Sequence, residues 1–209
     1  MYRLYLVLCV FSLFFSGQAK VFTEELQSFI THEIVPDILS EPPRELLSVT
    51  FPNGEQAQEG NELNPSQVTG VPTLDWSYQP DKFYTVIMCD ADAPSRIAPE
   101  ARSFLHWLVV NIPGGDVAEG EVLTNILNSH PEPLTGLHRY VFLVYEQTSY
   151  IDFEEVPSDD FERRVNFMPE DFANKYSMGT VLAGNFYLTE NFEDLVESFD
   201  RIDIEPVLY

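Results

Sequence analysis

The chain has 209 residues, 44% of them hydrophobic and 13% aromatic. That is enough apolar material for the core of one ordinary domain and excludes a disordered chain. Thirty-four Asp and Glu against 11 Lys and Arg leave a formal charge of −23, which argues against nucleic acid and against adsorption to an anionic membrane, since both need clustered basic side chains.

Met1-Tyr2-Arg3 is a short basic start, Leu4 to Phe15 is an almost unbroken apolar run, and Gly17-Gln18-Ala19 places small residues where a signal peptidase reads. This pattern predicts a secretory signal peptide over residues 1–19 and one mature domain over residues 20–209. The run is shorter than the ~20 residues that span a bilayer. Cleavage would remove Cys9 and leave Cys89 as the only thiol, so no internal disulfide is expected. Cys89 ends an apolar run, which predicts a buried small hydrophobe. No Asn-x-Ser/Thr sequon has a permitted middle residue, and no second run is long enough to span a membrane.

Phe22, Leu26, Phe29, Ile30 and Ile34 make one apolar stripe of a short helix, with Thr23 as a cap and Pro36 as a stop. The period then changes to two. Leu46 to Phe51 reads as a strand closed by Pro52-Asn53-Gly54, and Thr73 to Tyr78 alternates again. Phe83 to Cys89 is apolar on both faces, as a central strand is. Ser103 to Ile112 and Arg139 to Glu146 are long β-prone runs. Glu170 to Tyr176 predicts a helix, Thr180 to Leu188 a strand, and Asn191 to Arg201 a C-terminal helix. Strands separated by turns, without crossover helices, predict a mainly β fold, an antiparallel sandwich or barrel with short helices at its ends. The acids at 154–160 and in the tail from Glu190 read as solvated faces.

Three segments can carry chemistry. Asp90 and Asp92 follow the strand at 83–89, and on an extended backbone they would point the same way. They would then need a histidine, Arg96, a cation or a ligand amine between them. Ordinary turn bonding by Asp is the plainer reading. His106 alternates onto the face of Leu108 and Val110, where a satisfied core histidine is the plainer reading. His138 and Tyr140 share a face at the start of another β-run, behind the Thr135-Gly136 turn. Together, two imidazoles, a phenol and two carboxylates suit a small oxyanion, because N–H and O–H groups donate while carboxylates orient them or accept an amine.

Asp90-Ala91-Asp92-Ala93-Pro94, His106 to Gly114, and Gly136-Leu137-His138-Arg139 stand in an order that resembles the phosphatidylethanolamine-binding protein family, also called the Raf kinase inhibitor protein family. Ile34-Val35-Pro36-Asp37, Gly60-Asn61, Tyr145-Glu146-Gln147 and Ala183-Gly184-Asn185 extend the likeness over nearly all of the mature chain. With its signal peptide, the chain is similar to the secreted, antennal arthropod branch. The resemblance implies an antiparallel β-sandwich, a C-terminal helix and a small anion pocket at one end. It also implies that Asp90, Asp92, Pro94, His106, His138 and Tyr140 line or support that pocket. The loop holding His130 and Pro131 would join it, with His130 where the family has glycine. Ala91 replaces a family proline, Ala101 a tyrosine that donates into the pocket, and Asp200 a tyrosine that closes it.

The function expected is a secreted, monomeric, non-catalytic binding protein for a phospholipid head group or similar small anion. Inhibition of an extracellular protease and carriage of small apolar ligands are the alternatives. No nucleophile elbow, phosphate loop or dinucleotide fingerprint occurs, and His32-Glu33-Ile34-Val35 meets Pro36 where a zinc protease needs its second histidine. No catalytic residue, cofactor or metal is therefore expected.

Overall fold

The computed structural model describes residues 24–155 and 158–192. The expected signal peptide, nearly all of the expected C-terminal helix, Asp200 and the acidic tail from residue 193 onward lie outside the described residues. In chain order the elements are α1 (Glu24–Thr31), α2 (Ile34–Asp37), β1 (Glu45–Leu46), β2 (Ser48–Thr50), β3 (Asn61–Glu62), β4 (Thr73–Asp75), β5 (Phe83–Asp90), β6 (Phe104–Pro113), β7 (Glu121–Thr124), β8 (His138–Gln147), α3 (Phe161–Arg164), α4 (Pro169–Lys175) and β9 (Ala183–Thr189).

The larger sheet runs β1-β9-β8-β5-β6-β7, with β3 also on β9, and β2 pairs with β4 in a small second sheet. Every residue of β5 after Phe83 is buried. Its even positions Tyr84, Val86 and Met88 join a cluster with Val49, Leu74 and Trp76 of the small-sheet side. Its odd positions Ile87 and Cys89 join Phe29, Ile34 and Phe172 of the helical side. Packing on both faces explains why β5 and β8 read as apolar runs without alternation.

Three of the departures from the expected elements change the course of the chain. The strand at 46–51 divides at Leu47: β1 pairs with β9 and β2 with β4, so the chain crosses between sheets there. The pairings of β1 and β3 with β9 are parallel, and they join segments over a hundred residues apart rather than through crossover helices. The stripe from Phe22 breaks at Glu33, whose left-handed φ of 58° ends the helix and starts the separate turn α2.

One end of the larger sheet collects the chemistry. Asp90 at the end of β5 pairs with Phe104 at the start of β6 and with Tyr140 near the start of β8. His138 pairs with Thr189 at the end of β9.

Candidate functional site

The Asp90 carboxylate is the centre of this end. Its Oδ1 accepts the Asp92 backbone N–H at 2.7 Å, and its Oδ2 accepts His138 Nδ1–H at 2.7 Å. The Tyr140 ring stacks on His138 at 6.4 Å, and its phenol feels the charge of the same carboxylate. The other His138 nitrogen, Nε2, lies 2.9 Å from Thr135 Oγ1, whose own proton goes to the Glu132 carbonyl. Both ring nitrogens thus have an acceptor within reach. Burial, reinforced by Asp90, pushes the Tyr140 phenol well above its usual range, so it stays a donor. Its ring stacks on Tyr187 at 5.5 Å, and the Tyr187 hydroxyl meets Ser129 Oγ at 2.5 Å.

His106 reaches the same place by a β-bulge. Met88 pairs with Trp107 but Cys89 pairs with Leu105, so His106 is one residue extra in β6. Strict alternation puts it on the face of Leu108 and Val110. The bulge corrects that expectation, because an inserted residue shifts parity and re-aims the side chain. Its ring meets Tyr140 edge-on at 5.1 Å and lines a cavity. Nδ1–H donates to the Leu127 carbonyl at 2.7 Å, which leaves Nε2 as the remaining polar atom. Burial pushes the ring's pKa below the usual 6.5, against the opposing pull of the Leu127 carbonyl and Asp90. The ring is therefore neutral near pH 7, and Nε2 carries a lone pair.

Asp92 lies outside the cavity lining. The strand stops at Asp90, so the two carboxylates do not share an extended backbone. Asp92 is fully buried in the following turn and takes Arg139, itself fully buried. Arg139 Nε donates to Oδ2 at 2.8 Å and Nη2 to Oδ1 at 2.6 Å. Nη2 also reaches Asp37 at 2.7 Å, and Nη1 donates to the carbonyls of His32 and Glu33. All five guanidinium N–H groups have acceptors. Burial alone would raise the Asp92 carboxyl, but the Arg139 bonds outweigh it and hold it below its ordinary value. Arg96, the neighbour considered from sequence, pairs with Glu33 at 2.6 Å instead. Arg139 was missed, although an Arg opening an apolar strand beside a candidate His was a usable signal.

The cavity has a volume of about 400 Å³, within the range of small-molecule sites. Asp90, Pro94, His106, His130, Pro131, His138 and Tyr140 all line it. His130 is at the exposed rim, where its Nε2 lies 3.3 Å from Asn191 Nδ2, which also donates to the Pro131 carbonyl. Ala101 lines the wall without offering a donor. Sequence reasoning missed the apolar walls Phe104, Leu127 and Phe161 and the rim carboxylate Glu132. Among the described residues no Lys or Arg lines the cavity. Arg164 is spent on the carbonyls of Leu105, His106 and Asn125 and on Asp159. A second hollow of about 500 Å³ between β4 and β6–β7 is walled by Leu74, Trp107 and Val109, with Asp116 its one titratable group among the described residues. Among the described residues no cluster of three or more His, Cys, Asp or Glu is placed to hold a metal, and no helix is long and apolar enough to cross a membrane.

Comparison with known proteins gives a consistent picture. The family model described as "Phosphatidylethanolamine-binding protein" matches residues 51–187. The chain is 41% identical over 157 residues to "Putative odorant-binding protein A5" of Drosophila melanogaster, covering 74% of this chain and 75% of that protein. It is 41% identical over 165 residues to a 26 kDa secreted antigen of Toxocara canis, covering 78% of this chain and 63% of the antigen. The structure of a phosphatidylethanolamine-binding protein from Plasmodium vivax superposes with a TM-score of 0.67 at 19% identity, over 79% of this chain and 97% of that one. At that identity the likeness concerns the fold.

Proposed function

We propose a ligand-holding function for this chain, which belongs to the phosphatidylethanolamine-binding protein family: a secreted, non-catalytic protein whose cavity takes a phosphate-bearing head group or a similar small anion. The observation that carries the reading is the bulge that turns His106 over the Asp90–His138–Tyr140 floor of an open cavity. The proton count defines the ligand. His138 Nδ1 already donates to Asp90, and neutral His106 offers a lone pair. A fully ionised phosphate meets that lone pair unfavourably. A singly protonated phosphate monoester donates to it, and a protonated His106 donates to a phosphodiester, which carries no proton of its own. The rim carboxylate Glu132 suits an ammonium on the same ligand, so a zwitterionic head group fits better than a bare anion.

Binding on this account takes up a proton. Isothermal titration with phosphorylethanolamine between pH 8 and pH 5 should show affinity rising as pH falls, by up to about tenfold per unit while the proton is limiting. No binding at any pH would end the reading. Secretion is tested separately, by N-terminal sequencing of protein recovered from culture medium, with a mature start at Lys20 expected.

The walls favour one other reading. Phe104, Leu127, Pro131 and Phe161 make much of the cavity apolar, and the 41% identical Drosophila relative bears an odorant-binding name. A carrier of small apolar ligands would displace a fluorescent apolar probe from this cavity. A ligand with an apolar body and a phosphate head would satisfy both readings.

A further inference from the structure

Ten large hydrophobic side chains stand exposed among the described residues, and the three most exposed are Ile97 at 99%, Leu134 at 81% and Phe161 at 64%. Ile97 is on the β5–β6 connection, whose Ala93, Pro94 and Ala101 wall the cavity. Leu134 is on the segment leading into β8, which supplies His130, Pro131 and Glu132. Phe161 opens α3 and stands in the wall itself. Exposed Phe192 follows β9 beside Asn191, which bonds the Pro131 carbonyl. These segments gather at the sheet end where β5 and β9 finish and β6 and β8 begin.

Single exposed apolar side chains are ordinary, but a rim of them around a cavity mouth marks an interaction surface. Leu134 sharpens the point. Its φ of +68° is the left-handed conformation that branched side chains seldom adopt. Asn or Gly would suit the backbone better, and burial does not reward a leucine there.

We propose that this rim seats the cavity mouth on a zwitterionic lipid–water interface, with Ile97, Leu134 and Phe161 entering the head-group boundary. The proposal rests on the head-group reading of the cavity and adds how the protein reaches a head group still anchored in lipid. Charge chooses the surface. Glu100, Glu132, Asp160 and Glu162 are exposed on the same segments, and the formal charge is −23, so an anionic bilayer repels this end while a neutral one does not. The acids on either side of Phe161 keep its entry shallow. A protein partner fits less well, because it would cap the mouth that the ligand must use.

The double variant Ile97→Ser/Leu134→Asn removes two rim side chains that do not line the cavity. Flotation of the full secreted protein with phosphatidylcholine/phosphatidylethanolamine vesicles should show wild-type partitioning, roughly tenfold weaker in the variant. Phosphatidylserine-rich vesicles should bind the wild type less well than neutral ones. The thermal midpoint should be no lower in the variant, and its titration with soluble phosphorylethanolamine should be unchanged. A wild type that does not float, or a variant that floats equally, overturns the proposal. If flotation fails while phosphorylethanolamine binds, the rim proposal alone falls. If phosphorylethanolamine fails while rim-dependent flotation persists, the head-group reading falls and the rim stands. A wild-type dimer in sedimentation velocity that the variant abolishes would assign the rim to a second copy of the chain and overturn the lipid proposal.

Discussion

Replacing Arg139 with Met tests whether the buried ion cluster behind the cavity holds the site together. The substitution removes the two side-chain bonds that Arg139 gives Asp92, at 2.8 and 2.6 Å. Asp92, with no solvent exposure, keeps only the residue-139 backbone N–H at 2.9 Å and a long contact to Arg102 at 3.4 Å. Removing one partner of a buried pair costs about 3–5 kcal/mol, because the other charge stays buried. Asp37 loses less, since it is a quarter exposed and still has Arg102 at 2.9 Å. A loss of about 4 kcal/mol is therefore expected by urea unfolding at pH 7, out of a total of ~5–15 kcal/mol for such a domain. The double variant Arg139→Met/Asp92→Leu should recover much of it, since an apolar replacement leaves no orphaned charge. The sign with pH is fixed by Asp92. Its folded pKa lies below its unfolded value of about 3.9, so its contribution is complete above that value and lost as pH falls through the folded one. The wild type should lose this increment on acidification, and the double variant should not. A single variant that loses under 1 kcal/mol, or a double variant no better than the single, would refute the account.

Three other outcomes follow from particular residues. The Cys89 thiol, pushed up to about 12 chiefly by burial, should resist an aromatic disulfide reagent at pH 8 in the native protein and react fully in urea, as followed by absorbance. Gly60→Ala should cost about 2 kcal/mol in thermal unfolding, because its φ is +100° and a Cβ would sit 2.8 Å from the Phe186 ring and 3.0 Å from His32, whereas Gly54→Ala, with φ +91° and open space around it, should cost only about 1. His106→Gln should flatten the pH dependence of phosphorylethanolamine affinity, since an amide donates at every pH; an unchanged slope by titration calorimetry would remove His106 from the ligand.

The parts of the fold legible in sequence were those with packing on both faces. β5 and β8 bury almost every residue, so Phe83 to Cys89 and Arg139 to Glu146 announced themselves as apolar runs bounded by turn residues. Pairings two residues long carry no pattern, which is why the parallel contacts of β1 and β3 with β9 were not anticipated. The residue types at the site were visible, but their grouping came from the family resemblance. Periodicity alone misplaced His106, because one inserted residue inverts every inference of facing beyond it. Arg96, one of four partners considered for the two aspartates, was suggested by nearness in sequence, but the fold spends it on Glu33.

The strong negative charge and an anion-accepting cavity are compatible only because the site has already balanced its own ions. Asp90 is matched by the Asp92 N–H and His138 Nδ1–H, and Asp92 by Arg139, so neither carboxylate is left to repel a ligand at full strength. The same economy leaves, among the described residues, no fixed cation in the cavity lining to attract one. Long-range steering by the rest of the molecule works against an anion as well. Affinity must then arise at short range, from a proton shared with His106, from an ammonium against Glu132 and from contact with Phe104 and Leu127. The last two discriminate against inorganic phosphate and in favour of a molecule with an amine and an apolar body. The composition that argues against nucleic acid thus also narrows what the cavity can hold, and it does so through the chemistry of four side chains rather than through net attraction.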